Sequence, residues 1–254
     1  MTADGLVHAA DVPKELEYDL VAADVSSAPS LDSYLSYLRG TFREARRVLA
    51  DDGTLWINVP DAYATAAAVG MTGVGARNLI GVPWRLAFGL QEDGWILRNA
   101  IVWHKEGPQP HPAGDRSGDR FESRYEHVFF FSKRKRYWSG LAGPDCSAPV
   151  GAIVPNLGDY RADGDVWTIT PTVVKGVGQC LPRELAERCI SAGCKERRDE
   201  QSPGVVYDPF AGAGTVGAAA ERLSRTFVGV DLDESRLRRT IAGQLAEPPL
   251  ELAY

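Results

Sequence analysis

Val205-Val206-Tyr207-Asp208-Pro209-Phe210-Ala211-Gly212-Ala213-Gly214-Thr215 passes from an apolar run through a glycine-rich turn into an alanine-rich stretch, Val216 to Leu223. That order predicts a strand, a tight turn and a helix. Glycines at 212 and 214 let backbone N–H groups approach a ligand that side chains would hold away. About fifteen residues on, Thr226-Phe227-Val228-Gly229-Val230-Asp231 reads as a second strand ending in an acid, which can accept hydrogen bonds from ribose hydroxyls. Two glycines alone fit a structural turn equally well. The acid-tipped strand that follows makes the run a candidate nucleotide-type site.

Toward the N-terminus, Tyr18 to Asp24 reads as a short buried strand that also ends in an acid, followed by the loop formers Ser26, Ser27 and Pro29. Leu31, Tyr34, Leu35, Leu38, Phe42, Ala45, Val48 and Leu49 recur at three- and four-residue steps, so an amphipathic helix is expected before Asp51-Asp52-Gly53. Arg39, Arg43 and Arg47 then fall on its outer face and read as solvated. Thr54 to Val59 is a strand, and the strand, helix, strand alternation predicts a parallel sheet with helical crossovers. Residues 74–91 supply the next helix, with a break or late start at Pro83. Strands follow at 95–103 and 126–131, then at 166–169, and a helix near Arg183 to Ala192.

Between the strands at 95–103 and 126–131, Gly107 to Phe121 holds three prolines and two further glycines, a loop of functional length. The stretch Arg116 to Arg136 carries Arg116, Arg120, Arg124, Lys133, Arg134, Lys135 and Arg136 with Tyr125 nearby, a pattern able to hold phosphates and stack a base. A turn between solvated strand ends would carry the same residues.

The 254-residue chain has room for a substantial core, and its 44% hydrophobic and 24% charged composition excludes wholesale disorder and fibrous classes. Its net charge of −6 means that nucleic-acid affinity must come from a local basic patch. No apolar stretch is long enough to span a bilayer and the acidic N-terminal residues lack a signal-peptide core, so a cytoplasmic location is expected. Cys146, Cys180, Cys189 and Cys194 form no C-x-x-C pair and have no histidine at zinc spacing; no metal is expected.

The glycine turn with Phe-Val-Gly-Val-Asp after it resembles the S-adenosylmethionine site of the DNA amino-methyltransferases, which modify N(4) of cytosine or N(6) of adenine. The likeness extends through Arg46-Arg47-Val48-Leu49, Asp52 to Asn58, Gly94-Trp95, Trp103-His104-Lys105, Tyr125 to Lys133 and Asp165-Val166-Trp167, in the family's order. About 220 of the 254 residues are covered. The resemblance implies an α/β, Rossmann-like, S-adenosylmethionine-dependent methyltransferase with a seven-stranded, mostly parallel sheet. The motif order is circularly permuted, with the cofactor half C-terminal. It implies a single domain over 1–254 with an inserted target-recognition segment at 105–165. By the same resemblance Asp208, Pro209, Phe210, Gly212, Gly214 and Thr215 surround the cofactor, Asp231 takes the ribose, and Leu181 and Pro182 close over the methionine end. Arg116, Arg120, Arg124, Lys133, Lys135 and Arg136 are the implied phosphate contacts, with DNA as partner. Pairing into a homodimer is compatible with the family.

The family's catalytic motif is Asp-Pro-Pro-Tyr, with Asn or Ser as alternatives in first place, and the aligned residues here are Asp24-Val25-Ser26-Ser27. In the family the acid and the next carbonyl accept the two N–H bonds of the target amine, while the tyrosine stacks on the extruded base. Asp24 and the Val25 carbonyl retain the first role; Ser27 cannot perform the second. Loss of a base–aromatic stack costs roughly 1–3 kcal/mol. Three readings follow. The enzyme methylates DNA with a ring from elsewhere, such as Tyr63, Trp84 or Tyr125; it acts on a small amine; or it binds cofactor without catalysis.

Overall fold

A computed structural model describes residues 30–66, 69–107, 120–140, 164–174, 178–195 and 204–231. The first element is helix α1, Leu31–Val48, whose Ser30 cap accepts a hydrogen bond from the Ser33 N–H at 3.1 Å. Leu31, Tyr34, Leu38 and Phe42 are buried along one stripe, as the three- and four-residue spacing predicts. A turn at Asp51–Gly53 returns the chain directly into strand β1, Thr54–Val59. After the short helix α2, Val69–Thr72, comes α3, Val82–Glu92. Its start is late because Pro83 suits only a first helical turn, where its missing N–H is no loss. Asp61 Oδ1 accepts from the N–H groups of Gly81 (2.9 Å) and Val82 (3.1 Å), placing a carboxylate on the positive end of α3.

Strands β2, Ile96–Lys105, β3, Tyr125–Ser132, and β4, Val166–Ile169, complete a four-stranded sheet in the order β1-β3-β2-β4. β3 is antiparallel to both β1 and β2, while β2 and β4 are parallel. Of the mostly parallel sheet expected, the β2–β4 pair is parallel and the two pairings of β3 are antiparallel. β1 and β2 do point the same way across α3, and β3 lies between them, antiparallel to both. The strand expected at 126–131, within the 105–165 segment, is β3, an inner strand of the sheet.

β3 is packed on both faces. Phe129 and Phe131 face α1 and α3, in a core with Leu86, Leu90 and Trp95. On the other face Val128 joins Trp103, Trp167 and Leu185, and Phe130 stacks on Trp56 with ring centroids 4.2 Å apart. Leu185 belongs to helix α4, Arg183–Gly193, which follows the hairpin of β5, Thr172–Val174, and β6, Gly178–Cys180. A third cluster, Ala186, Ile190, Ala219 and Ala220, joins α4 to helix α5, Thr215–Arg222. α5 lies between strands β7, Val205–Asp208, and β8, Thr226–Gly229, which form a parallel pair. Burial pushes the Cys189 thiol up to about 12, as suits an inert core cysteine. Among the described residues no helix is long and apolar enough to cross a membrane.

Candidate active site

Parallel pairing of β7 with β8 brings two carboxylates, Asp208 and Asp231, to the same strand ends. The chain between them is a hydrogen-bonded turn. Asp208 Oδ1 accepts from the Phe210 N–H at 2.9 Å, Ala211 N–H donates to the Val230 carbonyl at 2.9 Å, and Gly212 N–H donates to Asp231 Oδ2 at 2.7 Å. Gly212 (φ 51°) and Gly214 (φ 79°) both lie in the left-handed region, where any side chain would be strained. Gly214 caps α5 without a side chain, so Thr215 begins a helix whose first-turn N–H groups have no intrahelical partners. Pro209 and Phe210 form the near side of the turn, and Phe210 meets Phe42 of α1 edge-on at 6.1 Å. The turn is thus anchored to the main core.

Burial raises the Asp208 carboxyl above its ordinary range, and the charge of Asp231 adds to the effect, against the Phe210 N–H. An acid whose pKa is raised on folding contributes stability below its unfolded pKa and loses it as pH rises through the folded value. Asp208→Asn keeps an Oδ1 acceptor for Phe210 and removes the charge. The ligand-free variant is therefore expected to melt higher than the wild type at pH 7. Melting from pH 4 to 8 checks this; a gap that fails to widen with rising pH overturns it.

Leu181 and Pro182 sit at the start of α4. The Pro182 carbonyl accepts from Leu185 N–H at 3.1 Å, and Leu181 packs between the second and third clusters. They fix α4 against α5.

Asp24, Val25, Ser26 and Ser27 lie outside the described residues, as does Arg116. Ser30 follows Ser27 by three positions, and its place in the fold is clear. Because the turn into β1 is tight, α1 runs back along that strand and its N-terminus lies toward the carboxyl ends of β1 and β2, the edge where open α/β sheets bind ligands. That edge carries an aromatic group. The Trp84 indole N–H donates to His127 Nε2 at 3.2 Å, Trp84 is edge-on to His127 and Phe129, and the half-exposed Tyr125 is edge-on to His127. Burial lowers the His127 pKa, with Asp61 and the Ile101 backbone pulling the other way, which favours the form whose Nε2 accepts the indole hydrogen bond. The Arg120 guanidinium lies over the Tyr63 ring at 3.8 Å, and Arg124 Nη1 donates to the Gly107 carbonyl at 3.0 Å.

Three residues of the family-like blocks, given no role by the sequence, meet at this edge. Glu126 takes hydrogen bonds from Asn58 Nδ2 (2.9 Å) and from the Lys105 ammonium, and all three side chains are partly buried. The signal available was an acid and a cation placed at the ends of two apolar strands. Lys133, Lys135 and Arg136, grouped with Arg120 and Arg124 by sequence, sit at the other end of β3, about 23 Å away at ~3.3 Å per residue. Lys133 is moreover engaged with the Leu49 carbonyl (2.5 Å) and Asp51 (3.3 Å), where it closes the end of α1. The single basic patch read from the sequence is two.

A family model described as DNA methylase matches residues 18–242, from before Asp24 to beyond Asp231. The chain belongs to the N6/N4 DNA methylase family. Within this family, the type II methyltransferase M.SmaI of Serratia marcescens is 33% identical over 232 residues, covering 83% of this chain and 73% of that one. M.Cfr9I of Citrobacter freundii is 35% identical over 227 residues, covering 80% and 69%. In fold, this DNA methylase is similar to TTHA0409 of Thermus thermophilus in complex with S-adenosyl-L-methionine, with a TM-score of 0.58 at 23% identity over 84% of this chain and 79% of that one. The cofactor is S-adenosylmethionine, and the site's residues fit it. The left-handed glycine turn leaves backbone N–H groups open to approach, and two carboxylates stand at the strand ends. Among the described residues no group of acids, histidines and cysteines is able to hold a metal.

Proposed function

We propose that this enzyme methylates an exocyclic amino nitrogen of cytosine or adenine in DNA, using the glycine turn for the cofactor and Asp24 for the amine. The observation that carries this reading is the acid-flanked turn, held by Gly212 N–H on Asp231, within a chain that its family matches from residue 18 to residue 242. Family membership favours DNA over the small-amine acceptor and the non-catalytic role left open by the altered Asp24-Val25-Ser26-Ser27 motif. When bound, S-adenosylmethionine supplies an electrophilic methyl group. Asp208, Pro209, Phe210, Gly212, Gly214, Thr215 and Asp231 hold it, with Leu181 and Pro182 supporting the methionine end. Asp24 accepts from the amine and orients its lone pair, as does the Val25 carbonyl. Ser26 and Ser27 leave the base without its usual ring; Trp84, already fixed by three aromatic contacts and a hydrogen bond, is the stiffest of the rings at this edge.

The finer architecture belongs to the same reading. The four-stranded sheet and the β7–β8 pair supply six strands, and the 18–24 run, outside the described residues, is expected as the seventh. We assign target recognition within a single domain to the 105–165 segment, with Arg116, Arg120 and Arg124 on phosphates.

Incubation with labelled S-adenosylmethionine and unmodified genomic DNA, followed by nucleoside mass spectrometry, is expected to give labelled methylcytosine or methyladenine. Arg120→Gln/Arg124→Gln should lower the slope of log affinity against log salt by up to about 2. Tight cofactor binding with no label on DNA would overturn the reading.

A further inference from the structure

At the edge of the sheet opposite the active site, a cleft of about 310 Å³ opens between the end of α1 and the start of β2. Arg43, Arg46, Arg47 and Lys133 line it with Trp95 and one acid, Asp93. The acid is already paired, since Arg39 holds both its oxygens at 2.8 and 2.7 Å and keeps its carboxyl below the usual range. Trp95 is 3% exposed, yet among the described residues its indole N–H has no hydrogen-bond partner, and neither has the buried Nε–H of Arg46, whose guanidinium lies 5.7 Å from the Trp95 ring centroid. A buried donor without a partner has lost its hydrogen bond to water and gained none in return. Two of them beside one cation-lined cleft are in place for an acceptor that carries negative charge.

We propose that this cleft binds a phosphate group. Arg46 Nε–H and the Trp95 indole N–H donate to its oxygens after a small shift of the lining side chains, and the exposed Arg43 and Arg47 balance its charge. Arg134, Lys135 and Arg136 follow Lys133, with Asp51 paired to Lys133 (3.3 Å) and Arg134 (2.9 Å); the phosphate of a DNA backbone and a free phosphate are both matched by the same chemistry. The surface is separate from the catalytic edge by the length of β3. It stands whether or not the methylation reading does.

Two variants test it. Arg43→Gln/Arg47→Gln neutralises two exposed cations, and Trp95→Phe deletes the indole N–H while keeping an aromatic ring in the core. Inorganic phosphate, titrated to about 20 mM at constant ionic strength in chloride, is expected to raise the melting temperature of the wild type by a few degrees. The rise should shrink in both variants. Binding of S-adenosylhomocysteine, measured on the same samples, should stay within twofold and shows that the fold is kept. Salt dependence of binding to a long unspecific duplex separates the sources. A slope reduced by about 2 in Arg43→Gln/Arg47→Gln identifies DNA phosphate; an unchanged slope with a lost phosphate shift identifies the free ion. If neither the phosphate shift nor the slope differs between wild type and variants, the proposal is overturned.

Discussion

Asp231→Ala is expected to weaken S-adenosylmethionine binding by about 10- to 150-fold, the equivalent of the roughly 1.5–3 kcal/mol that a hydrogen bond to a charged group contributes. The residue has two tasks. By family resemblance its carboxylate meets the ribose, and in the structure its Oδ2 already holds the Gly212 N–H at 2.7 Å. Alanine removes both, leaving the left-handed turn to the hydrogen bond from the Ala211 N–H to the Val230 carbonyl. Asp231→Asn separates the tasks, because an amide oxygen still accepts from Gly212 while the charge is lost; it should bind more tightly than alanine and less tightly than wild type. Part of the loss is offset, since Asp231 is one of the groups that raise the Asp208 carboxyl. Calorimetric titration of the cofactor into all three proteins measures the order. Binding by Asp231→Ala within twofold of wild type would show that the turn holds its shape, and its ligand, without this acid.

Most of what the sequence disclosed was local. The glycine turn, the acid at the end of the next strand, the stripe of α1 and the late start of α3 at Pro83 each depend on residues within a few positions of one another, and each stands in the structure as the spacing predicts. What the sequence concealed depends on partners far along the chain. The run Val128 to Phe131 is apolar at every position, so periodicity does not say which way it points, and its antiparallel place between β1 and β2 follows from two pairings made at long range. The same strand divided the basic stretch, for a linear run of cations is a patch only if the chain between them turns back. Arg120 meets Tyr63 across two loops, and Glu126 meets Asn58 and Lys105 across three strands; no local rule joins these residues.

The largest loss is expected for Asp24→Ala, which should lower methyl transfer by about 10²- to 10³-fold or more, the range seen when one fixed hydrogen-bonding group aimed at the reacting centre is removed. Cofactor binding should stay within twofold, because the turn at Gly212 and the acids Asp208 and Asp231 are built from the other half of the chain. That split between rate and cofactor affinity is the informative result. A variant that keeps full activity would show that another acceptor orients the amine. The companion change Ser26→Pro/Ser27→Tyr restores the family's ring and stiffens the backbone behind Asp24. If the altered motif merely weakens the hold on an extruded base, DNA methylation should rise, by up to about 5- to 150-fold for a stack of roughly 1–3 kcal/mol. If Trp84 or Tyr63 already occupies the face of the base, an added tyrosine competes for one position and the rate should fall. Trp84→Ala in the restored background then decides which ring the base rests on, since a ring in use cannot be removed without loss.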